Sequence, residues 1–200
     1  MLRGAKLRTS LAKVKLISVP GPWSRVVAFR HLLKAPGGKR GVPQPLWGGA
    51  AAINGARFTP KGAFDSVYLA WDPVTALLEV QALVAVPGGT VPLRSSPWAL
   101  ITVDGIVGRV LDLVDASVLT ALGTNVQEMT GAWVKGTNPP TQELSQAAYD
   151  AGSIAGVRYG SAKNPNGLNL VVFPDRLVAP STDYLEVLDP DGNLAQRIGA

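Results

Sequence analysis

Cysteine is absent from this chain of 200 residues, and histidine occurs only once. Without cysteine the chain has no disulfide, no thiol nucleophile and no thiolate ligand for a metal. A single histidine also argues against a zinc or iron site, because such sites usually take several His or Cys ligands. We therefore expect no metal cofactor, and the absence of thiols fits a reducing compartment such as the cytoplasm.

Long apolar runs are also missing. No stretch approaches the roughly 18 apolar residues that a membrane-spanning helix needs, and residues 1–15 lack the apolar stretch of a secretory signal. With 46% hydrophobic and 16% charged residues, the chain is too apolar to be disordered. We expect one globular domain without a membrane span, and its 22 glycines and 16 prolines predict long loops.

Positive charge is concentrated at one end of the sequence. Of the 19 basic residues, five lie in residues 1–15, which contain no acid; this leaves 14 basic residues against 14 acidic ones in the rest of the chain. We divide the chain into a basic extension at 1–20 and a single domain at 21–200. The extension is interpreted as a flexible or packed segment, with a phosphate-attracting arm and a targeting peptide as alternatives. The neutral body argues against a broad nucleic-acid-binding surface.

The hydrophobic pattern predicts strands and helices in mixed order. It lacks the alternation of strand and helix that is typical of a doubly wound sheet, so we predict an α+β fold with mixed, split sheets and flanking helices. Pro- and Gly-rich loops are expected at Ala35–Gly49 and Pro87–Pro97. Helices are predicted at Val74–Val84, Asp115–Leu122 and Thr141–Ala151, the last with Thr141 as its cap; strands are predicted at Arg25–Phe29, Ser66–Trp71, Trp98–Val103, Ile154–Tyr159, Leu168–Phe173 and Tyr184–Leu188.

Several common catalytic and nucleotide-binding motifs are missing. The run PGGKRG at 36–41 does not supply the GxxxxGK[ST] of a phosphate-binding loop, and no GxGxxG joins a strand to a helix. Ser161 lies in YGSAK rather than GxSxG, and the only histidine, His31, is distant in sequence. A dinucleotide fold of the Rossmann type and a Ser-His-Asp hydrolase are therefore disfavoured.

The segment from Gly55 to Glu79 is the most informative part of the chain. It places Arg57 on a Gly-rich bend, Tyr68 in an apolar strand and Glu79 on the flank of a helix that Asp72-Pro73 is expected to begin. A fold that joins these groups could bind a polyanion with a ring and a sugar. The guanidinium suits phosphate, the aromatic face suits the ring, and the carboxylate suits hydroxyls or developing positive charge.

The order of these pieces resembles the RES-domain family, which is named for an arginine, a glutamate and a serine. The resemblance covers about residues 25–173. Phe58-Thr59 replaces the usual Trp-Asn of the family turn, and His31 stands where an aromatic hydroxyl is common. The matching pieces are Phe29-Arg30, Gly55-Ala56-Arg57-Phe58-Thr59, Val67-Tyr68-Leu69, Ala76-Leu77-Leu78-Glu79, Val157-Arg158-Tyr159-Gly160-Ser161 and the strand Asn169–Phe173.

The resemblance implies a fold similar to mono-ADP-ribosyltransferases, with two small sheets facing each other around an NAD cleft. It also implies a bacterial toxin of a toxin–antitoxin pair, which cleaves the nicotinamide–ribose bond of NAD+ by phosphorolysis or hydrolysis. NAD+ would be the substrate, with inorganic phosphate as a second one, and the partner would be a small helix-turn-helix antitoxin. Such a protein is expected in the cytoplasm. A homo-oligomer is possible, and the sequence leaves the oligomeric state open.

Residue roles follow from the same resemblance. Glu79 would stabilise the ribose cation, Arg30 and Arg57 would bind the pyrophosphate, and Ser161 would position ribose or incoming phosphate. Tyr68 would stack on nicotinamide or bind ribose, unless it is a packed strand tyrosine. His31 is a further candidate contact to the dinucleotide, although a packing role is an equally open interpretation.

Two other functions stay open from the sequence. The same cleft could transfer ADP-ribose to a protein instead of consuming NAD+ alone. The chain could also be a non-catalytic binding module whose basic extension reaches a nucleic acid or an acidic partner.

Overall fold

The computed structural model describes residues 1–32, 42–92, 97–131, 139–179 and 181–199, without the side chain of Arg30. The predicted α+β class, with mixed sheet pairing and flanking helices, is confirmed. Helices within these ranges are α1 Gly4–Leu11, α2 Phe29–Leu32, α3 Gly49–Asn54, α4 Pro73–Glu79, α5 Ala116–Ala121, α6 Val126–Thr130 and α7 Pro140–Asp150. The strands are β1 Ile17–Pro20, β2 Trp23–Ala28, β3 Val67–Ala70, β4 Leu83–Val86, β5 Gly89–Pro92, β6 Trp98–Asp112, β7 Gly156–Gly160, β8 Leu168–Val172, β9 Asp183–Val187 and β10 Arg197–Ile198.

Strand β6 organises the sheet because it is 15 residues long and has different partners along its length. Its first part pairs with β2, from Ala28 opposite Trp98 to Trp23 opposite Val103. Its second part pairs with β1 in antiparallel and with β7 in parallel orientation. The sheet order is β10-β9-β6-β2-β3-β8-β7, and β7 returns to β6. Five strands therefore close into a ring, and the two halves expected from the sequence are joined through β6.

Gly105 lies where β6 passes from β2 to β1. Its φ of 142° is rare for residues with a side chain, and a Cβ at this position would lie 2.1 Å from the carbonyl oxygen of Tyr184. Because the backbone of β9 approaches so closely here, only glycine allows the pairing of Gly105 with Leu185.

The basic extension contributes to the core. Leu7 and Leu11 on α1 are 1% and 4% exposed and belong to a cluster with Phe58, Leu144 and other residues beneath α5–α7. Lys6, on the same helix, is exposed. Strand β1 adds three residue pairs to β6. Lys6 and Arg8 thus lie on the exposed face of a packed helix, while the division of the chain at residue 20 stays a prediction.

The prediction of a helix that reaches Val84 is wrong in its second half. Helix α4 ends at Glu79, and Gln81 takes a left-handed φ of 58°, which ends the helical path. The apolar residues that follow form β4, which pairs with β5 across a turn at Pro87-Gly88. The predicted loop Pro87–Pro97 therefore begins as a β-hairpin, because the β-branched residues after the helix favour extended backbone.

The start of α7 also differs from the prediction. Pro139 occupies the N-cap position, and Thr141 lies inside the first turn. The Thr141 hydroxyl donates instead to the carbonyl oxygen of Arg57, at 2.7 Å. The predicted cap at Asp72 is confirmed, since its side chain accepts from the Thr75 N–H. Asp115, predicted as the first residue of a helix, lies at the N-cap of α5 and accepts from the Ser117 N–H.

Part of the predicted loop Ala35–Gly49 lies outside the described residues, which resume at 42. Across the described ranges, no helix combines the length and apolar character that crossing a membrane requires.

The packing of α1 can be tested by Leu7→Ala. We expect a loss of about 2–5 kcal/mol in the free energy of unfolding, because the substitution removes a fully buried side chain and leaves a cavity. The measurement is urea unfolding, with Lys6→Ala on the exposed face as the matched control, which should change stability by less than about 0.5 kcal/mol. Equal stability of the two variants would show that the extension is not part of the folded domain.

Candidate functional site

A cavity of about 540 Å³ lies between α4 and the face of the sheet formed by β2, β3 and β8. Three of the residues predicted from sequence, Arg57, Tyr68 and Glu79, line it together. Its lining comprises Ser24, Arg25, Val26, Arg57, Tyr68, Leu69, Ala70, Ala76, Glu79, Val80, Gln81, Tyr159, Lys163 and Asn169.

Glu79 is the last residue of α4 and is fixed by two hydrogen bonds from the β7–β8 hairpin. Its Oε1 accepts from the Ser161 hydroxyl at 2.6 Å and from the Asn169 amide at 2.7 Å. Both bonds reach the same oxygen. Within the described part of the chain, Oε2 therefore keeps its lone pairs for a ligand.

Ser161 directs its proton to Glu79. This serine follows β7 and is only 7% exposed. Its oxygen accepts from the backbone N–H groups of Lys163 and Asn164, at 3.1 and 3.0 Å. Because both acceptor positions of the hydroxyl are occupied, its own hydrogen is left for the carboxylate.

The loop after Ser161 is tied to the start of α4. The Asn164 amide donates to the Thr75 hydroxyl at 2.8 Å, and that hydroxyl donates to Asp72 at 2.5 Å. The N-cap of α4 and the loop that holds Glu79 thus belong to one hydrogen-bond network, which fixes both ends of this short helix relative to the hairpin.

Arg57 lies on a tight turn that α7 holds in place. Ala56 and Thr59 exchange two backbone hydrogen bonds, of 2.8 and 3.1 Å. The Gln142 amide donates to the Ala56 carbonyl at 2.8 Å, and the Ser145 hydroxyl donates to the Phe58 carbonyl. These side chains of α7 fix the backbone on both sides of Arg57.

The Arg57 guanidinium is anchored at one nitrogen. Its Nη1 donates to the carbonyl oxygens of Met129 and Gly131, at 3.1 and 2.7 Å, where α6 ends. These bonds use Nη1, and the residue also lines the cavity. A planar guanidinium held in this way suits the oxygens of a phosphate.

Tyr68 supports the turn that carries Arg57. Its hydroxyl accepts from the Phe58 N–H at 3.0 Å and shares a 2.8 Å hydrogen bond with the Thr59 hydroxyl. Burial raises the pKa of Tyr68 to about 12, so the phenol is neutral in the physiological range. The hydroxyl therefore positions the backbone, while the ring lines the cavity.

Arg25 is a cavity residue that the sequence prediction missed. It lies within β2, and its guanidinium donates to the carbonyl oxygens of Pro45, Tyr68 and Trp47, at 2.8 to 3.0 Å. Burial lowers its pKa to about 10, which still leaves it charged at neutral pH. The prediction instead favoured Arg30. This residue lies on α2, directly after β2, and its side chain is not among those that the structure describes.

Asn169 was also missed, although the sequence contained a signal for it. It is buried in β8 between apolar neighbours. A buried amide in an apolar strand needs a partner, and here the partner is Glu79. His31 lies on α2, is half-buried, and is not among the residues that line this cavity. Its role stays a prediction, as does that of Arg30.

The charges around the cavity favour an anion. Among the described lining residues, Arg25, Arg57 and Lys163 are cationic, and Glu79 is the one carboxylate. The described residues contain no cluster of three His, Cys, Asp or Glu side chains that could hold a metal. The described lining therefore combines two guanidinium groups with a single oriented carboxylate.

Comparison with known proteins agrees with the sequence resemblance. The family model of the RES domain matches residues 29–192. The crystal structure of the M. tuberculosis MbcT–MbcA toxin–antitoxin complex contains a similar chain, the MbcT toxin, with a TM-score of 0.69 and 19% identity over 98% of this chain and 93% of that chain. At this identity the likeness shows a shared ADP-ribosyltransferase-like fold. No curated protein matches the chain in sequence.

The role of Tyr68 predicts a specific pH dependence of stability. Because the folded state raises its pKa from 10.0 to about 12, the stabilisation by the neutral phenol is complete below pH 10 and is lost as pH rises through about 12. Tyr68→Phe leaves the Phe58 N–H without its partner, so we expect a loss of about 1–3 kcal/mol at neutral pH. The difference between wild type and variant should shrink across this alkaline range.

Urea unfolding at neutral pH and at several alkaline pH values measures this difference. Tyr184→Phe is the control, since that ring lies over the guanidinium of Arg197, away from the cavity. A constant gap between wild type and Tyr68→Phe from neutral to strongly alkaline pH would contradict the assignment.

Proposed function

The chain belongs to the RES-domain family, and on that basis we propose that it is the toxin of a toxin–antitoxin pair that cleaves the nicotinamide–ribose bond of NAD+. One observation carries this proposal. The Glu79 carboxylate, fixed by Ser161 and Asn169, faces the same cavity as the guanidinium groups of Arg25 and Arg57.

The chemistry of the bond fits a single carboxylate. Nicotinamide carries a positive charge in NAD+ and leaves as a neutral molecule when it takes the bonding electron pair, so the leaving group needs no strong acid. Positive charge develops on the ribose, as in the transition state of glycoside hydrolysis. An oriented carboxylate stabilises such a cation best when it is fixed before the reaction begins. The hydrogen bonds to Oε1 of Glu79 supply that orientation.

Arg25 and Arg57 are the proposed partners of the pyrophosphate. Both guanidinium groups are held by backbone carbonyls, so they lose little freedom when an anion binds. Arg30 is proposed as a further phosphate contact and His31 as a further dinucleotide contact, as the family resemblance implies. The cavity volume of about 540 Å³ lies in the usual range of small-molecule sites.

The acceptor that attacks C1″ of the nicotinamide-bearing ribose is water or inorganic phosphate. Water loses a proton and gives ADP-ribose, whereas phosphate gives ADP-ribose 1″-phosphate. In both cases the ribose forms one new C–O bond for the C–N bond that breaks. Lys163, which lines the cavity and whose backbone N–H donates to the Ser161 oxygen, adds positive charge that favours an anionic acceptor.

The proposed partner is a small antitoxin that covers the cavity. The similar structure is that of a toxin bound to its antitoxin, and the family resemblance implies a helix-turn-helix protein. A covered cavity would explain how a host tolerates an enzyme that consumes NAD+ in its cytoplasm.

Incubation of the purified protein with NAD+, with and without phosphate, tests the activity. We expect NAD+ loss by wild type and a decrease in kcat of about 10²–10³-fold for Glu79→Gln, because the amide keeps the shape and lacks the charge. Glu186→Gln, which breaks an ion pair with Arg197 far from the cavity, is the matched control and should retain full activity.

Absence of NAD+ loss by wild type, or equal loss by Glu79→Gln, would contradict the proposal. Product analysis separates ADP-ribose from its 1″-phosphate. Mass spectrometry of treated cell extract would reveal ADP-ribosylated proteins if the cleft modifies a protein instead.

The proposed partner is tested by co-expression of this chain with a small helix-turn-helix protein whose gene lies next to its own. We expect the two proteins to co-purify and NAD+ loss to stop in the complex, because the partner would cover the substrate cavity. Glu79→Gln should still form the complex, since it removes a charge without changing the surface. An unchanged rate of NAD+ loss in the presence of the neighbouring protein would contradict a blocking partner.

A further inference from the structure

The end of α4 has the hydrogen bonds of a Schellman motif. The Gln81 N–H donates to the Leu78 carbonyl at 3.1 Å, and the Ala82 N–H donates to the Leu77 carbonyl at 3.0 Å. In this motif the residue after the C-cap takes a left-handed conformation, and glycine is usual there. Gln81 occupies that position with a φ of 58°.

Two other helices of the same chain use glycine at this position. Helix α5 ends at Gly123, with a φ of 61° and the same pair of backbone hydrogen bonds to Thr120 and Leu119. Helix α7 ends at Gly152, with a φ of 72°. Within the ranges that the structure describes, Gln81 alone combines a side chain with a left-handed φ. A residue held in a strained conformation calls for a reason that packing does not supply.

The position of Gln81 supplies that reason. The residue lines the substrate cavity two positions after Glu79, and it is exposed rather than packed into the core. Its amide therefore stabilises no buried contact, while it lies where a ligand of Glu79 would bind. A glycine at this position would end the helix with less strain and would leave the cavity without the amide.

We propose that Gln81 is a substrate-contacting residue, whose side-chain amide hydrogen-bonds a polar group of the substrate beside the ribose that Glu79 stabilises. The inference rests on the proposed function, because it assigns the residue to the same dinucleotide. An amide both donates and accepts, and it carries no charge. It thus suits the carboxamide of nicotinamide or a ribose hydroxyl, and not the pyrophosphate.

Three variants separate the effect of the Gln81 side-chain amide on substrate binding from the effect of the backbone strain on stability. Gln81→Met keeps the length of the side chain and the left-handed backbone and removes the amide. Gln81→Gly removes the amide and relieves the strain. Gly152→Gln creates the same strain at the end of α7, where a Cβ meets no atom within 4 Å, and it leaves the cavity unchanged. KM and kcat for NAD+ and the Tm are measured for each variant.

We expect Gln81→Met and Gln81→Gly to raise KM for NAD+ by about 3–10-fold, the effect of one neutral hydrogen bond. Gly152→Gln should keep the wild-type KM and lower the Tm by about 2–4 °C. A purely structural role of Gln81 would show the opposite pattern, with a change in Tm and none in KM.

Turnover of the 3-acetylpyridine analogue of NAD+, which lacks the carboxamide N–H₂ and keeps the carbonyl oxygen, tests whether Gln81 contacts that N–H₂. If the KM effect of Gln81→Met disappears with the analogue, the contact is the carboxamide N–H₂; if it persists, the contact is the carboxamide oxygen or a ribose hydroxyl. Wild-type KM and kcat in an active Gln81→Met variant would overturn the inference and leave the proposed function intact. Lack of NAD+ turnover by wild type would overturn both.

Discussion

The hydrogen bonds from Ser161 and Asn169 to Glu79 connect the two parts of the molecule that form the cavity. A carboxylate at the end of a seven-residue helix has few constraints of its own. Here the β7–β8 hairpin holds its Oε1, and the Thr75–Asn164 contact holds the first turn of the same helix. Helix α4 is thus fixed to the hairpin at both ends, and the position of the carboxylate follows from that attachment.

The cationic side of the cavity is built in the same way. Arg57 is held by carbonyls at the end of α6, and its turn is held by side chains of α7. Arg25 joins β2 to the segment around Pro45 and Trp47. Each charged group is tied to an element distant in sequence before a ligand arrives. Preorganised charges of this kind stabilise a transition state without the cost of rearrangement.

The sequence predicted the elements that carry their own local signals. Asp72-Pro73 marks the start of α4, and the strands predicted at Ile154–Tyr159 and Leu168–Phe173 correspond to β7 and β8. It did not predict the end of α4, because the apolar spacing continues through Val84 and glutamine gives no sign of a helix end. Nor did it predict Arg25 as a cavity residue, since the direction of a strand side chain depends on which face of the closed sheet lies inward.

The sequence by itself predicted the α+β class and four candidate site residues, namely Arg57, Tyr68, Glu79 and Ser161, in an order typical of the RES family. Only the tertiary structure decided that Glu79 meets Ser161 and Asn169, that Arg25 shares the cavity, and that the basic extension packs into the core through Leu7. The physical reason is that the sequence specifies residue types and local backbone preferences directly. Contacts across 82 and 90 residues depend instead on how the long strand β6 closes the sheet.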